Sequence, residues 1–235
     1  MIHKFSASSR LIDEVLTQYP SAFLAFCELI NNSIQAKAKN ININIDYTKD
    51  TELFNHAIKS IEILDDGCGV YVGDIEKKLF DIGDSHKRGG KGIGRFGALQ
   101  IGAKVKIETV GYSEDRKNYS KVEIPITENL FKDAQKLHEL EIDTKEEILK
   151  GTHNTYYKVV ISELYDSSVT KKNIKKKITE KFLKENIAYS IFERYPIPIF
   201  HKKVKFWINN VALEPNDYVI GEPINLALKL ILKPN

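Results

Sequence analysis

The chain has 235 residues, 42% hydrophobic and 29% charged, with a formal net charge of +3 at pH 7. This balance is that of a soluble globular chain, one large domain or one domain plus a fragment. No apolar run approaches the ~20 residues of a membrane helix, the first residues lack the apolar core of a secretory signal, and the two cysteines, Cys27 and Cys68, are too few for a disulfide scaffold and point to a reducing, cytoplasmic setting.

A helix is expected near Ser9–Gln18 and a second over Ser21–Lys39, where Ser21 follows Pro20 and can cap the N-terminus. The run Glu28-Leu29-Ile30-Asn31-Asn32-Ser33-Ile34-Gln35-Ala36 sets a carboxylate and a carboxamide four residues apart. Residues at i and i+4 share a helix face, so Glu28 and Asn32 point the same way and Ala36 completes the row. Phe23, Phe26, Leu29 and Ile30 flank it, which places the two polar groups at a core boundary. A half-buried carboxylate beside an amide suits a water-activating base next to a metal ligand. The same residue types also occur on ordinary exposed helix faces.

Ile41, Ile43 and Ile45 alternate with Asn42 and Asn44, the pattern of a half-buried strand. A further strand, Ile61–Leu64, breaks at Asp65-Asp66-Gly67-Cys68-Gly69, a tight turn in which glycine permits positive φ and close backbone approach. An Asp at the end of a buried strand can accept a hydrogen bond from a ligand amine. Val72–Ile82 reads as a helix. Six of the thirteen glycines then lie between Gly83 and Gly97, interleaved with Lys87, Arg88, Lys91 and Arg95, before a helical stretch Phe96–Gly102. A basic glycine loop feeding a helix N-terminus presents N–H groups and a positive dipole end to an anion. Gly92-x-Gly94-x-x-Gly97 is not a dinucleotide fingerprint, because no strand precedes it, and Gly92 stands where a P-loop needs Ser or Thr.

Val105–Val110, Lys121–Ile126 and Thr155–Ile161 supply more strands, while the charged stretch 127–150 is expected to form a surface helical excursion. After Asp166–Val169 the character changes. Lys171, Lys172, Lys175, Lys176, Lys177, Lys181 and Lys184 share a helical stretch with Ile174, Ile178 and Phe182, so one face is strongly basic. Such a face can meet DNA phosphates or simply be solvated. Val204–Ile208 alternates as a strand into an Asn209-Asn210 hairpin turn. Helices before and between strands, with one evident sheet, indicate an α/β two-layer sandwich.

In order, the helix run, Asp65–Gly69, Gly92–Gly97 and Gly151-Thr152 resemble the four nucleotide-binding boxes of the GHKL ATPase superfamily, which groups DNA gyrase, heat-shock chaperones, histidine kinases and MutL. The resemblance covers about residues 5–165 and implies the Bergerat fold, a mixed sheet covered on one face by helices that hold ATP. It implies that Glu28 is the general base and that Asn32 binds Mg²⁺ through its amide oxygen, with Ala36 on the same row. Asp65 would read the adenine amine, assisted by Gly69 and the Thr152 hydroxyl. Gly92, Ile93, Gly94, Arg95, Phe96 and Gly97 would cradle the phosphates, with Lys87 and Lys91 as further partners. Gln35 stands where the family usually has Asp, and Val70 where a Met is common. Ile82-Gly83-x-Ser85-x-Lys87 is most similar to MORC-type and heat-shock-chaperone-type members. These imply an ATP-dependent clamp that closes and homodimerises, residues 1–165 forming the ATP-binding domain and 166–235 the start of a transducer-like module. A non-hydrolysing ATP switch, or a DNA or protein interaction domain on the same fold, would carry the same motifs.

Overall fold

The computed structural model describes residues 1–4, 19–47, 58–80, 94–128, 130, 141–165 and 180–219. A short strand β1 (Ile2–Lys4) opens the chain. Helix α1 (Ala22–Gln35) starts where Ser21 Oγ accepts a hydrogen bond from the Leu24 amide, satisfying one of the free donors of the first turn. Its apolar row, Phe23, Phe26, Leu29 and Ile30, is buried. The helix stops four residues short of the expected Lys39, because Lys37 takes a left-handed conformation (φ 61°) and turns the chain into β2 (Asn40–Tyr47).

Strands β3 (Ile58–Asp65), β4 (Gly102–Ser113) and β5 (Asn118–Thr127) follow, then β6 (Glu141–Asp143), β7 (Lys145–Leu149) and β8 (Tyr156–Leu164). Helices α2 (Ile187–Arg194) and α3 (Pro196–Phe200) lead to β9 (Lys205–Ile208) and β10 (Val211–Ala212). Eight strands form one sheet in the order β10-β9-β2-β3-β8-β4-β5-β7. Neighbours are antiparallel except β2 and β9, which run parallel. Ile41, Ile43, Ile61, Ile63, Val105, Ile107, Val159 and Ile161 join the apolar core that also takes up Phe26 and Ile30 of α1. The alternate residues carry cross-strand ion pairs, Lys158–Glu108 at 3.1 Å and Lys106–Glu123 at 2.8 Å among them. Period-two alternation therefore gives one greasy and one charged face, and the helical layer lies on the first.

Residues 180–219 add to the same sheet and core. Phe182 meets Phe23 and Phe26 edge-on, with ring centroids 5.5 and 5.3 Å apart. The Asn209-Asn210 turn has φ of 46° and 65°, the left-handed pair that a two-residue hairpin requires. Asn209 also bonds β2 sideways, its Oδ1 accepting from the Ile45 amide at 2.7 Å.

Three expectations are corrected. Within 127–150 the described residues 141–149 are β6 and β7 rather than helix, since β5 offers an open edge that β7 pairs with from Tyr119↔Leu149 to Glu123↔Lys145. The expected helix Val72–Ile82 is a 3₁₀ turn, Val72–Asp74, followed by a π-helical turn, Glu76–Phe80. At its start the Val72 amide, a first-turn donor with no partner within its own helix, donates to Ser120 Oγ at 2.8 Å. Phe96–Gly102 is likewise a 3₁₀ segment, Gly94–Gln100, and Gly102 already belongs to β4. The expected helix Ser9–Gln18 lies outside the described residues.

Candidate functional site

The end of β3 and the last turns of α1 meet at Asp65. This carboxylate is 2% exposed and accepts hydrogen bonds from Ser33 Oγ at 2.7 Å on Oδ2 and from the Gly67 amide at 2.9 Å on Oδ1. Burial raises its pKa above the usual carboxylate range, the Ser33 and Gly67 donors oppose that rise, and the neighbouring Asp66 charge adds to it. Asp66 points elsewhere. It accepts from the Lys39 amide at 2.6 Å, the Asn40 amide at 2.8 Å and Asn40 Nδ2 at 2.6 Å, clamping the start of β2. Its partial burial pushes the carboxyl up, but the bonds from Asn40 and Lys39 outweigh that and hold it below its ordinary value.

The turn after Asp65 is wedged from both sides. A Cβ on Gly67 would stand 2.8 Å from Ala36 Cβ, and the Cys68 amide donates to the Ala36 carbonyl at 3.2 Å. Gly69 has φ +60°, and a Cβ there would stand 2.0 Å from the Val110 carbonyl oxygen. Beside it the fully buried Thr109 hydroxyl accepts from the Val70 amide and donates to the Tyr156 carbonyl, each at 2.9 Å. The loop is thus packed tightly between α1 and the strands, next to a buried acceptor.

Glu28 and Asn32 lie on the other side of α1 from the core, Glu28 half-buried and Asn32 exposed. Asn31 Nδ2 donates to Glu28 Oε1 at 3.2 Å. The hydroxyl of buried Tyr195, between α2 and α3, stands 3.0 Å from Asn31 Oδ1 and 2.8 Å from the Cys27 carbonyl. Among the described residues no group of three His, Cys, Asp or Glu could hold a metal ion. A hard cation here would draw on the Asn32 amide oxygen and on oxygens of a bound ligand, which fits a magnesium phosphate complex.

Asp65 and the Gly67 turn therefore lie against the last turns of α1 at Ser33 and Ala36, Glu28 and Asn32 lie on the outer side of that helix, and Gly69 packs on Val110 and Tyr156. Gly94, Arg95, Phe96 and Gly97 form the 3₁₀ segment that packs on the same helix, where a Cβ on Gly97 would lie 3.0 Å from the Tyr19 ring. Lys87, Lys91, Gly92 and Ile93 lie outside the described residues. Thr152 is exposed and precedes β8, whose Tyr157 pairs across from Asp65; the hydroxyl that reaches Asp65 is that of Ser33. Ser33, Thr109, Asn31 and Tyr195 were not singled out from sequence. A small polar residue at a core-facing position was the available signal for Ser33 and Thr109. Of the Lys171–Lys184 stretch, the described Lys181 pairs with Glu193 at 3.0 Å and lies over the Phe23 ring. No helix among the described residues is long and apolar enough to cross a membrane.

A family model for the histidine kinase-, DNA gyrase B- and HSP90-like ATPases matches residues 19–155, more than half of the chain. No curated protein matches. Similar solved structures include the N-terminal domain of a DNA repair protein, at 19% identity and TM-score 0.48, covering 83% of this chain and 50% of that one. Another is the Aquifex aeolicus MutL ATPase domain complexed with ADP, at 16% identity and TM-score 0.43, covering 79% and 58%. The chain thus spans 50% of the length of the first and 58% of the second.

Proposed function

The chain belongs to the histidine kinase-, DNA gyrase B- and HSP90-like (GHKL) ATPase family, with the mixed sheet and helical layer of the Bergerat fold, and from that premise we propose that it binds and hydrolyses ATP with Glu28 as general base. The observation that carries this reading is the division of labour along one helix. Ser33 faces inward to Asp65, while Glu28 and Asn32 face outward one turn apart.

In this reading Asp65 accepts a hydrogen bond from the adenine amino group, beside a turn that Gly67 and Gly69 let pack closely on Ala36 and Val110. Ser33 holds the carboxylate in place. Asn32 supplies an amide oxygen to Mg²⁺, and the ion would neutralise phosphate charge. Gly92, Gly94 and Gly97 would offer backbone N–H groups to the phosphates, with Lys87, Lys91 and Arg95 as cationic partners and Ile93 and Phe96 between them in the sequence. Glu28 orients a water and takes its proton as the oxygen attacks the terminal phosphorus, the bond to ADP breaks, and inorganic phosphate leaves. Thr152 is assigned to the same adenine pocket on the strength of its Gly-Thr motif.

The finer reading is a clamp. ATP closes the glycine-rich lid and promotes dimerisation in a cytoplasmic MORC-like or chaperone-like protein. Steady-state phosphate release with Mg·ATP, compared between wild type and Glu28→Gln, tests the chemistry. Nucleotide-dependent dimerisation in analytical ultracentrifugation tests the clamp.

A further inference from the structure

The Glu28 carboxylate does not stand alone. Its Oε1 accepts from Asn31 Nδ2 at 3.2 Å, and the far end of that amide meets the Tyr195 hydroxyl at 3.0 Å. Tyr195 comes from the segment 164 residues further along, is 6% exposed, and has a second acceptor for its proton in the Cys27 carbonyl at 2.8 Å. We propose that Tyr195 and Asn31 form a reversible hydrogen-bond relay that follows the proton on Glu28, which makes both of them positioning residues for the base. The inference rests on the assignment of Glu28 as general base.

The argument is one of donor and acceptor counting. An ionised carboxylate only accepts, so Asn31 must turn its NH₂ to Glu28 and its oxygen to Tyr195, whose proton then points at Asn31. Once Glu28 has taken the proton of the attacking water it becomes a donor. The amide can then reverse: the Glu28 hydroxyl donates to Asn31 Oδ1, Asn31 Nδ2 donates to the Tyr195 oxygen, and the Tyr195 proton swings to the Cys27 carbonyl. Each link of the relay keeps one donor and one acceptor in both states. No proton crosses the amide, and the only motion is a rotation of one carboxamide and one hydroxyl. Without the Cys27 carbonyl within reach, the second state would leave the Tyr195 proton unpaired in a buried site, which is unfavourable.

Tyr19, Cys27 and Tyr195 are the titratable groups that feel the Glu28 charge. Burial, with Glu28 adding to it, pushes the Tyr19 hydroxyl up to about 12. Burial also pushes the Cys27 thiol up to about 11, against the pull of Tyr195, Arg194 and Lys181. The Tyr195 hydroxyl is raised further still, by burial first. Arg194 and Lys181 remain cationic on that flank, Lys181 paired with Glu193. The relay also ties the hydrolytic site to the 180–219 segment, so a displacement of Tyr195 would disorient the base.

Tyr195→Phe keeps the ring that stacks on Phe206, 5.7 Å away at 23°, and removes only the hydroxyl. In steady-state hydrolysis of Mg·ATP by the full chain, kcat should fall ~5–20-fold with KM within ~2-fold. Asn31→Leu should act in the same direction. A matching rise in KM with kcat unchanged, or no loss, would overturn the relay. A second readout needs no turnover. The Asn31 side-chain amide, followed by NMR in nucleotide-free protein, should titrate in wild type and cease to do so in Glu28→Gln and Tyr195→Phe. If Glu28→Gln hydrolyses ATP at the wild-type rate, the base assignment falls, while the amide titration still decides whether the relay exists.

Discussion

The Ser33 hydroxyl donates to Asp65 Oδ2 across 2.7 Å, joining a buried position of α1 to the end of β3. Ser33 follows Asn32 directly, so this one bond sets the spacing between the candidate adenine reader and the candidate metal ligand. The second Asp65 oxygen is engaged by the Gly67 amide, which fixes the turn that follows. Both contacts lie out of water, where an unpaired partner is costly.

Asp65→Asn should therefore weaken ATP binding ten- to a hundredfold, the equivalent of ~1–3 kcal/mol, because an amide NH₂ can face the adenine amine or the Ser33 hydroxyl where an acceptor is needed. Ser33→Ala should cost less, ~1 kcal/mol or below, since it frees Asp65 without removing it. Calorimetric titration with ATP checks both. Unchanged affinity in Asp65→Asn would remove Asp65 from the adenine pocket.

Gly69→Ala tests the geometry of the loop. At φ +60° with the Val110 carbonyl 2.0 Å from any added Cβ, the backbone must shift. Loss of nucleotide binding together with ~2 kcal/mol or more of stability is expected, from both strain and clash. Thermal unfolding with and without ATP reads the two effects separately. A variant that binds ATP normally would show that the loop is not part of the pocket.

On the charged face, Glu108 should dominate acid sensitivity. Burial raises its pKa, but the Tyr156 hydroxyl at 2.6 Å and Lys158 and Lys121 prevail and bring it to about 2, against an ordinary 4.5. Since the folded value is depressed, Glu108 stabilises the fold above about pH 4.5, and that contribution fades as the pH falls towards 2. Glu108→Gln should be less stable than wild type at pH 7 by ~1–3 kcal/mol and should lose less on acidification. Urea unfolding at pH 7 and at pH 3.5 makes the comparison, and parallel losses would exclude Glu108 as the sensitive group.

Much of this was legible before any coordinates. The isoleucine–asparagine alternation of β2 and the Asp-Gly turn after β3 state their own conformations, because period and glycine chemistry are local. The edge strand β7 was not legible. Lys145-Glu146-Glu147 reads as a solvated charge run, and only the open edge of β5 makes it extended. Ser33 and Thr109 escaped notice because a small hydroxyl inside an apolar pattern looks like a gap in the pattern. Tyr195 could not be foreseen, since its contact with Asn31 spans 164 residues and depends on how α2 docks. Asp66 stands beside Asp65 in the same turn. Its three hydrogen bonds to Lys39 and Asn40 make it a clamp on β2, so Asp66→Ala should destabilise the fold by ~1–3 kcal/mol in urea unfolding at neutral pH while leaving the adenine contact of Asp65 in place.

The most direct measurement pairs binding with turnover in Glu28→Gln. The substitution keeps size and helix position but removes the group that accepts a proton. ATP should bind to wild type and variant within a few-fold of each other, and phosphate release should fall ~10²–10⁴-fold in the variant. Wild-type protein that neither binds nor hydrolyses Mg·ATP, or a variant that releases phosphate at the wild-type rate, would contradict the assignment of Glu28 as the base of an ATPase.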